Sequence, residues 1–243
     1  MSPPQSQRSQ TLKVSQLLFS QGIGTRRECE KLIVTGQVTL ADQVCDDPSH
    51  EIAPEGLVFG VSGAPWPYHA KALVMMNKPA GHECSQKPKH HPSIYSLLPK
   101  PFHNRNMQAV GRLDEDTTGL LLLTDDGALI HRLTSPKHHL PKVYEVGCKH
   151  PLDARQVTHL LEGVTLNDDT TPVRATACEM ISEHALRLTL TEGKYHQVKR
   201  MLAAVSNRVE TIHRSQFGAL SLPEDLAPGQ WRWLDGPQVL YPP

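Results

Sequence analysis

No apolar stretch in the chain approaches the 18 residues of a membrane-spanning helix, so no span is expected. No C-x-x-C pair occurs. The five cysteines (Cys29, Cys45, Cys84, Cys148 and Cys178) are odd in number and scattered. That usage points away from a disulfide framework or a zinc knuckle, and toward a reducing cytoplasm. Aromatic residues are sparse, at 5%, so each tyrosine and tryptophan carries more information than usual. Net charge is absent as well, because 25 basic residues balance 25 acidic ones. Neutrality weighs against a nucleic-acid binder, but the distribution matters more than the sum. Residues 71–110 carry six Lys or Arg against one acid, whereas residues 1–70 carry five against seven. A polyanion site is therefore expected to draw on 71–110.

What is present suits a globular protein. The 243 residues can hold one large domain or two smaller ones, with enough length for a substantial core. Hydrophobic content of 38% with 21% charge is ordinary, and twenty prolines point to many turns and a mixed fold. Residues 1–9, polar and rich in Ser, Pro and Gln, read as a disordered tail without the apolar core of a signal peptide.

Residues 10–60 read as a first domain. Leu12, Ser15, Leu18 and Phe19 recur at helical spacing, and Gly22 and Gly24 break the pattern. Thr25 is placed to cap a second helix, Arg26 to Val34, which sets Cys29, Leu32 and Ile33 on one face. Arg26, Arg27 and Lys31 are left for solvent or a ligand. Gly36 ends the helix, and Val38, Leu40 and 57–59 look like strands. Residues 61–70, with Gly63, Pro65 and Pro67, read as a linker. A second domain, 71–243, opens with a strand at 72–76. Further strands are expected at 106–110, 119–124, 142–148, 173–180 and 184–191, and helices at 126–134, 153–161 and 195–205. Strands outnumber helices without strict alternation, so the fold class is α+β.

Four stretches could carry chemistry. Asn77-Lys78-Pro79-Ala80-Gly81 forces a turn that sets Lys78 at a strand end, where it is mainly structural or a phosphate contact. Gly111-Arg112-Leu113-Asp114-Glu115-Asp116-Thr117-Thr118-Gly119-Leu120 places Asp114 on a polar turn just before an apolar strand. The acids Asp114, Glu115, Asp116, Asp125 and Asp126 suggest a rival, a metal site for phosphodiester cleavage, although none has a known ligand spacing. In a strand, Lys142 and Tyr144 share a face, where they can neutralise a phosphate and stack on a base; a core tyrosine is the competing reading. The neighbouring His138-His139 pair reads as polar contacts to RNA rather than metal ligands. Glu192-Gly193-Lys194-Tyr195-His196-Gln197-Val198-Lys199-Arg200-Met201 joins a strand to a helix that carries Lys199 and Arg200.

These runs, in this order, resemble the pseudouridine synthases of the RsuA/RluA superfamily, and the RsuA branch (RsuA, RluB, RluE, RluF) most. The stretch Thr25 to Asp42 is similar to the core of an S4 RNA-binding module, with Ala41-Asp42-Gln43 where the module carries an Asn-Gly hairpin. The resemblance implies a small S4-like helix–loop–helix/strand domain followed by a catalytic domain. The second domain would be a mixed, largely antiparallel sheet flanked by helices. It implies isomerisation of a uridine to pseudouridine in 16S ribosomal RNA, uridine 516 in the usual count, with no cofactor and no metal.

In that frame Asp114 is the nucleophile, attacking either C1′ of the ribose or C6 of the base. Lys199 keeps Asp114 ionised, standing where other superfamily members carry Arg, and Tyr144 packs on the flipped uracil. Arg26, Arg27, Lys31, Lys78, Arg112, Lys142, Lys194 and Arg200 would hold RNA. The expected partner is 16S RNA or a small-subunit assembly intermediate, met by a cytoplasmic monomer. The alternatives are a synthase for a large-subunit (23S) uridine, a non-catalytic S4 protein of ribosome assembly, and the metal-dependent nuclease.

Overall fold

The computed structural model describes residues 11–135, 140–167 and 169–242. The expected tail at 1–9 and the pair His138-His139 lie outside the described residues. The chain divides into two units, one of residues up to Ala72 together with Pro99–Met107, the other of Leu73–Leu98 and the remainder.

In the first unit, β1 (Leu12–Lys13) leads into α1 (Val14–Ser20) and α2 (Arg26–Val34). Thr25 caps α2 as expected. Its hydroxyl accepts from the Glu28 N–H, while the Glu28 carboxylate accepts from the Thr25 N–H at 2.7 Å. That capture lowers the Glu28 pKa. Four strands, β3 (Gln43–Val44), β2 (Val38–Leu40), β5 (Val58–Val61) and β6 (Ala64–Pro67), pair in that order, and β4 (Glu51–Ile52) pairs with β1. Ala41 and Asp42, at φ +45° and +65°, make the tight β2–β3 hairpin in the left-handed region that Asn-Gly usually fills. Val14, Leu17, Leu18, Cys29, Ile33, Val38 and Phe59 form the core.

Two expectations are corrected in this unit. Residues 61–70 are not a plain linker, because β6 occupies 64–67. Its two prolines are tolerated since β6 is the edge strand and needs no outward N–H bonds. The domain boundary at 71 also misses a return excursion. Helix α3 (Lys100–Asn104) and the residues after it belong to the first unit. Arg105 donates to Gln21 Oε1 at 2.7 Å and to the His69 carbonyl at 2.9 Å, and Asn104 Nδ2 donates to the Gly22 carbonyl. Arg105 is thus a structural tie rather than part of a polyanion surface.

The second unit is built on one sheet in the order β11 (Ala177–Ser182), β12 (Ala185–Leu190), β10 (Lys142–Cys148), β13 (Val209–Phe217), β9 (Thr118–Thr124), β7 (Leu73–Lys78) and β15 (Trp231–Trp233). The short strands β8 (Gln108–Ala109) and β14 (Leu220–Ser221) pair with β9 and β13. Only the β13–β9 pairing is parallel among the described strands, which gives the mixed, largely antiparallel α+β fold. Helices α4 (Gly127–Thr134), α5 (Ala154–Glu162) and α6 (Gln197–Ala204) complete it. Every residue of β7 is buried, so that strand is covered on both faces and reads as a continuous apolar run. Leu73, Met75, Leu120 and Leu122 pack with Leu129 and Leu133 of α4. The long central strand β13 was not anticipated from the sequence.

Candidate active site

The Asp114 loop is held from below by the turn after β7. Lys78 is fully buried, and its Nζ donates to the carbonyls of Thr117 (2.9 Å), Pro79 (3.0 Å) and Glu115 (3.2 Å). The Gly81 N–H donates to the Glu115 carbonyl at 2.8 Å. This overturns Lys78 as an RNA contact: all three ammonium protons are engaged and none is reachable. Burial lowers its pKa, opposed by Cys84 and the loop acids. The loop then closes on itself through the Thr117 N–H and the Asp114 carbonyl. It leaves toward β13 at Gly119, where φ is +100° and a Cβ would lie 2.3 Å from the Arg214 carbonyl. Only glycine allows that approach.

On this platform Asp114 is partly exposed and faces α6. Lys199 Nζ lies 3.7 Å from Asp114 Oδ2, and His196 Nε2 lies 3.4 Å from Oδ1. Lys199 reaches Asp114, but its hydrogen bonds go to Asp116, at 2.7 and 2.8 Å. Burial works against the Lys199 charge, yet Asp116, with Asp114 and Glu115, outweighs it and raises the pKa. From sequence Asp116 figured only among the acids of the rival metal reading, not as a partner of Lys199. His196 was not singled out; it adopts φ +48° just before α6 and stacks on the exposed Tyr195 ring at 3.8 Å. A non-glycine residue in that region is strained, and such strain collects at functional sites.

Around Asp114 lies a small cleft open to solvent. Arg112, Thr117, Tyr144, Leu190, Gly193, His196, Lys199 and Ile212 contribute to its walls. Tyr144 is buried at 8% exposure, so it is part of the core and a wall of the cleft at once. Arg112 is exposed at the rim. Lys194 also borders the cleft, but its ammonium is paired with Asp169, which raises its pKa. Arg200 Nη1 donates to the Tyr195 carbonyl. Of the acids considered for a metal, Asp126 instead caps α4, accepting from the N–H groups of Ala128 and Leu129. Among the described residues no three His, Cys, Asp or Glu side chains converge as a metal cluster.

The family model for RNA pseudouridylate synthase matches residues 72–204. The chain belongs to that family. It is accordingly an RNA pseudouridine synthase with the α+β fold described above. A protein named ribosomal small subunit pseudouridine synthase A from Yersinia pestis is 36% identical over 231 residues, covering 95% of this chain and 94% of that protein. The protein of the same name from Escherichia coli K12 is 39% identical over 192 residues, covering 79% and 80%. A solved pseudouridylate synthase is similar with a TM-score of 0.65 and 34% identity, covering 92% of this chain and 96% of the other.

Within the synthase, Asp114, Tyr144, Lys199, Arg112 and Lys194 meet at one cleft. Lys142 stands beside it, on the wall shared with Tyr144. Arg26, Arg27 and Lys31 lie exposed on α2 of the first unit. His196 was within reach of sequence reasoning, since it stands inside the motif that carries Lys199. Arg214 was not, because its strand went unrecognised. No helix among the described residues is long and apolar enough to cross a membrane.

Proposed function

We propose that this synthase converts one uridine of 16S ribosomal RNA to pseudouridine, uridine 516 by resemblance, with Asp114 as the nucleophile. The observation that carries the reading is the placement of Asp114 in a cleft walled by Tyr144, with Lys199 and His196 each within 4 Å of its carboxylate. Small-subunit specificity is supported by the names of the relatives that match most of the chain.

The target base leaves its stack and enters the cleft, at a cost of a few kcal/mol. Tyr144 packs against the uracil, and Arg112 holds the displaced backbone at the rim. Asp114 attacks C1′ or C6 as a carboxylate, with Lys199 beside one of its oxygens and His196 beside the other. The N1–C1′ bond breaks, the uracil turns, the C5–C1′ bond forms, and the bond to Asp114 breaks to return its carboxylate. The C5 proton passes to water and N1 recovers a proton, so no redox partner or donor enters. Arg26, Arg27 and Lys31 of α2 supply phosphate contacts that guide the RNA. The enzyme acts as a cytoplasmic monomer, on free RNA or on a small-subunit assembly intermediate.

The test is tritium release from [5-³H]uridine-labelled 16S RNA and from partly assembled small subunits, with EDTA present, followed by mapping of the modified nucleotide. Release with a single pseudouridine in small-subunit RNA is expected. Modification confined to large-subunit RNA would move the target, and EDTA-sensitive strand cleavage without release would replace the reaction. Replacing Arg26, Arg27 and Lys31 together should weaken RNA binding and flatten its salt dependence; unchanged binding would remove α2 as a guide.

A further inference from the structure

Beside the Asp114 cleft lies a second hollow, bounded by Gly111, Arg112, Lys142, Tyr144, Arg214 and Phe217, among others. It shares Arg112, Tyr144 and Gly193 with the cleft, so the two are neighbours along one wall. Its chemistry is unlike the cleft's: no carboxylate is among its lining residues.

Arg214 is 3% exposed. Its Nε donates to the Leu120 carbonyl at 2.7 Å, and its Nη2 is buried without a hydrogen-bond partner. Lys142, two residues before Tyr144 on β10, has one long contact, 3.4 Å to the Thr191 carbonyl. Both cations lie near one ring, Lys142 Nζ at 5.3 Å and the Arg214 guanidinium at 5.4 Å from the Phe217 centroid. Burial and the Arg214 charge push the Lys142 pKa down to about 8. The aromatic face offsets part of the desolvation of two cations. It does not replace an anion, and like charges withdrawn from water without a counter-ion are destabilising. A buried guanidinium donor with nothing to bind calls for a ligand.

We propose that Lys142 and Arg214 form a binding site for one phosphodiester group of the RNA substrate, adjoining the cleft that takes the target nucleotide. Arg214 presents planar guanidinium donors from the sheet, and Lys142 a point charge beside the same Phe217 ring. The group they hold sets the register of the sugar–phosphate chain against Asp114. Arg214 and Lys142 are therefore positioning residues. The proposal rests on the reading of the Asp114 cleft as the seat of the flipped uridine.

Uridine, uridine 3′-monophosphate and uridine 5′-monophosphate, titrated calorimetrically into the full chain, test it. At least one monophosphate is expected to bind about tenfold tighter than uridine, the factor for one charge-assisted contact. That advantage should vanish in Lys142→Met, with uridine affinity unchanged. Arg214→Lys, checked for an unaltered melting transition, should reduce it as well. Equal binding of all three probes, no detectable binding of the monophosphates, or an advantage that survives Lys142→Met would overturn the site. Tritium release by the unsubstituted enzyme separates this from the functional reading. A Lys142-dependent phosphate advantage without release leaves the anion site standing and removes the uridine chemistry; release with a Lys142-independent advantage does the reverse.

Discussion

Lys78, fully buried, and Lys142, half-buried, both stand on the central sheet, and in both burial lowers the pKa. Lys78 gives its three protons to three main-chain carbonyls of the Asp114 loop and its own turn. Lys142 has one marginal acceptor and an arginine for company. The first is part of the fold. The second is a charge the fold tolerates and a ligand completes. Burial alone does not tell a structural cation from a binding one; the tally of satisfied donors does.

Substitution by methionine should separate the pair. Lys78→Met leaves buried carbonyls unpaired at about 1–3 kcal/mol each. It should lower the unfolding free energy by roughly 3 kcal/mol in a denaturant titration and release the loop that carries Asp114. Lys142→Met removes an uncompensated charge and is expected to be neutral or stabilising at pH 7. A loss of stability equal to that of Lys78→Met would erase the distinction.

A pH series sharpens it. The folded pKa of Lys142, about 8, lies below its ordinary 10.5. Below pH 8 both folded and unfolded chains carry the charge, and the burial penalty is complete. Between about 8 and 10.5 the folded state sheds its proton first, so the unfolded chain binds more protons and stability rises with pH. The unsubstituted protein should therefore gain on Lys142→Met across that window. A difference independent of pH would mean that Lys142 is solvated.

Lys199 is the intermediate case, partly exposed and ringed by acids. Asp116→Asn removes its nearest partner. That side chain is 57% exposed, so stability should change by less than about 1 kcal/mol. The ammonium should turn to Asp114, and turnover should fall far less than in Lys199→Met. Equal losses would make Asp116 as necessary as the lysine it holds.

Much of this was legible in the sequence where local rules and the final structure agree. The Thr25 cap of α2, and α4, β9, β10 and the buried β7, each announced themselves by capping or patterning. What failed did so for identifiable reasons. Strand β13 carries a buried arginine at 214 and polar residues on both sides, so neither alternation nor an apolar run marks it. Its place is set by pairing with β10 and β9, a long-range effect. Strand β6 holds two prolines and is read correctly only when its edge position is known. Asp114, Tyr144 and Lys199 could be singled out because ordered motifs carry them, and all three line one cleft. The exchange by which Lys199 bonds Asp116 more closely than Asp114 depends on side-chain geometry that no motif encodes.

Asp114→Asn, assayed for tritium release from C5 of uridine in 16S RNA and for RNA binding in parallel, tests the central claim most directly. The account predicts no release above background and RNA affinity within about twofold of the unsubstituted enzyme, since the change removes the nucleophile and little that holds RNA. Turnover retained by the asparagine variant would contradict it.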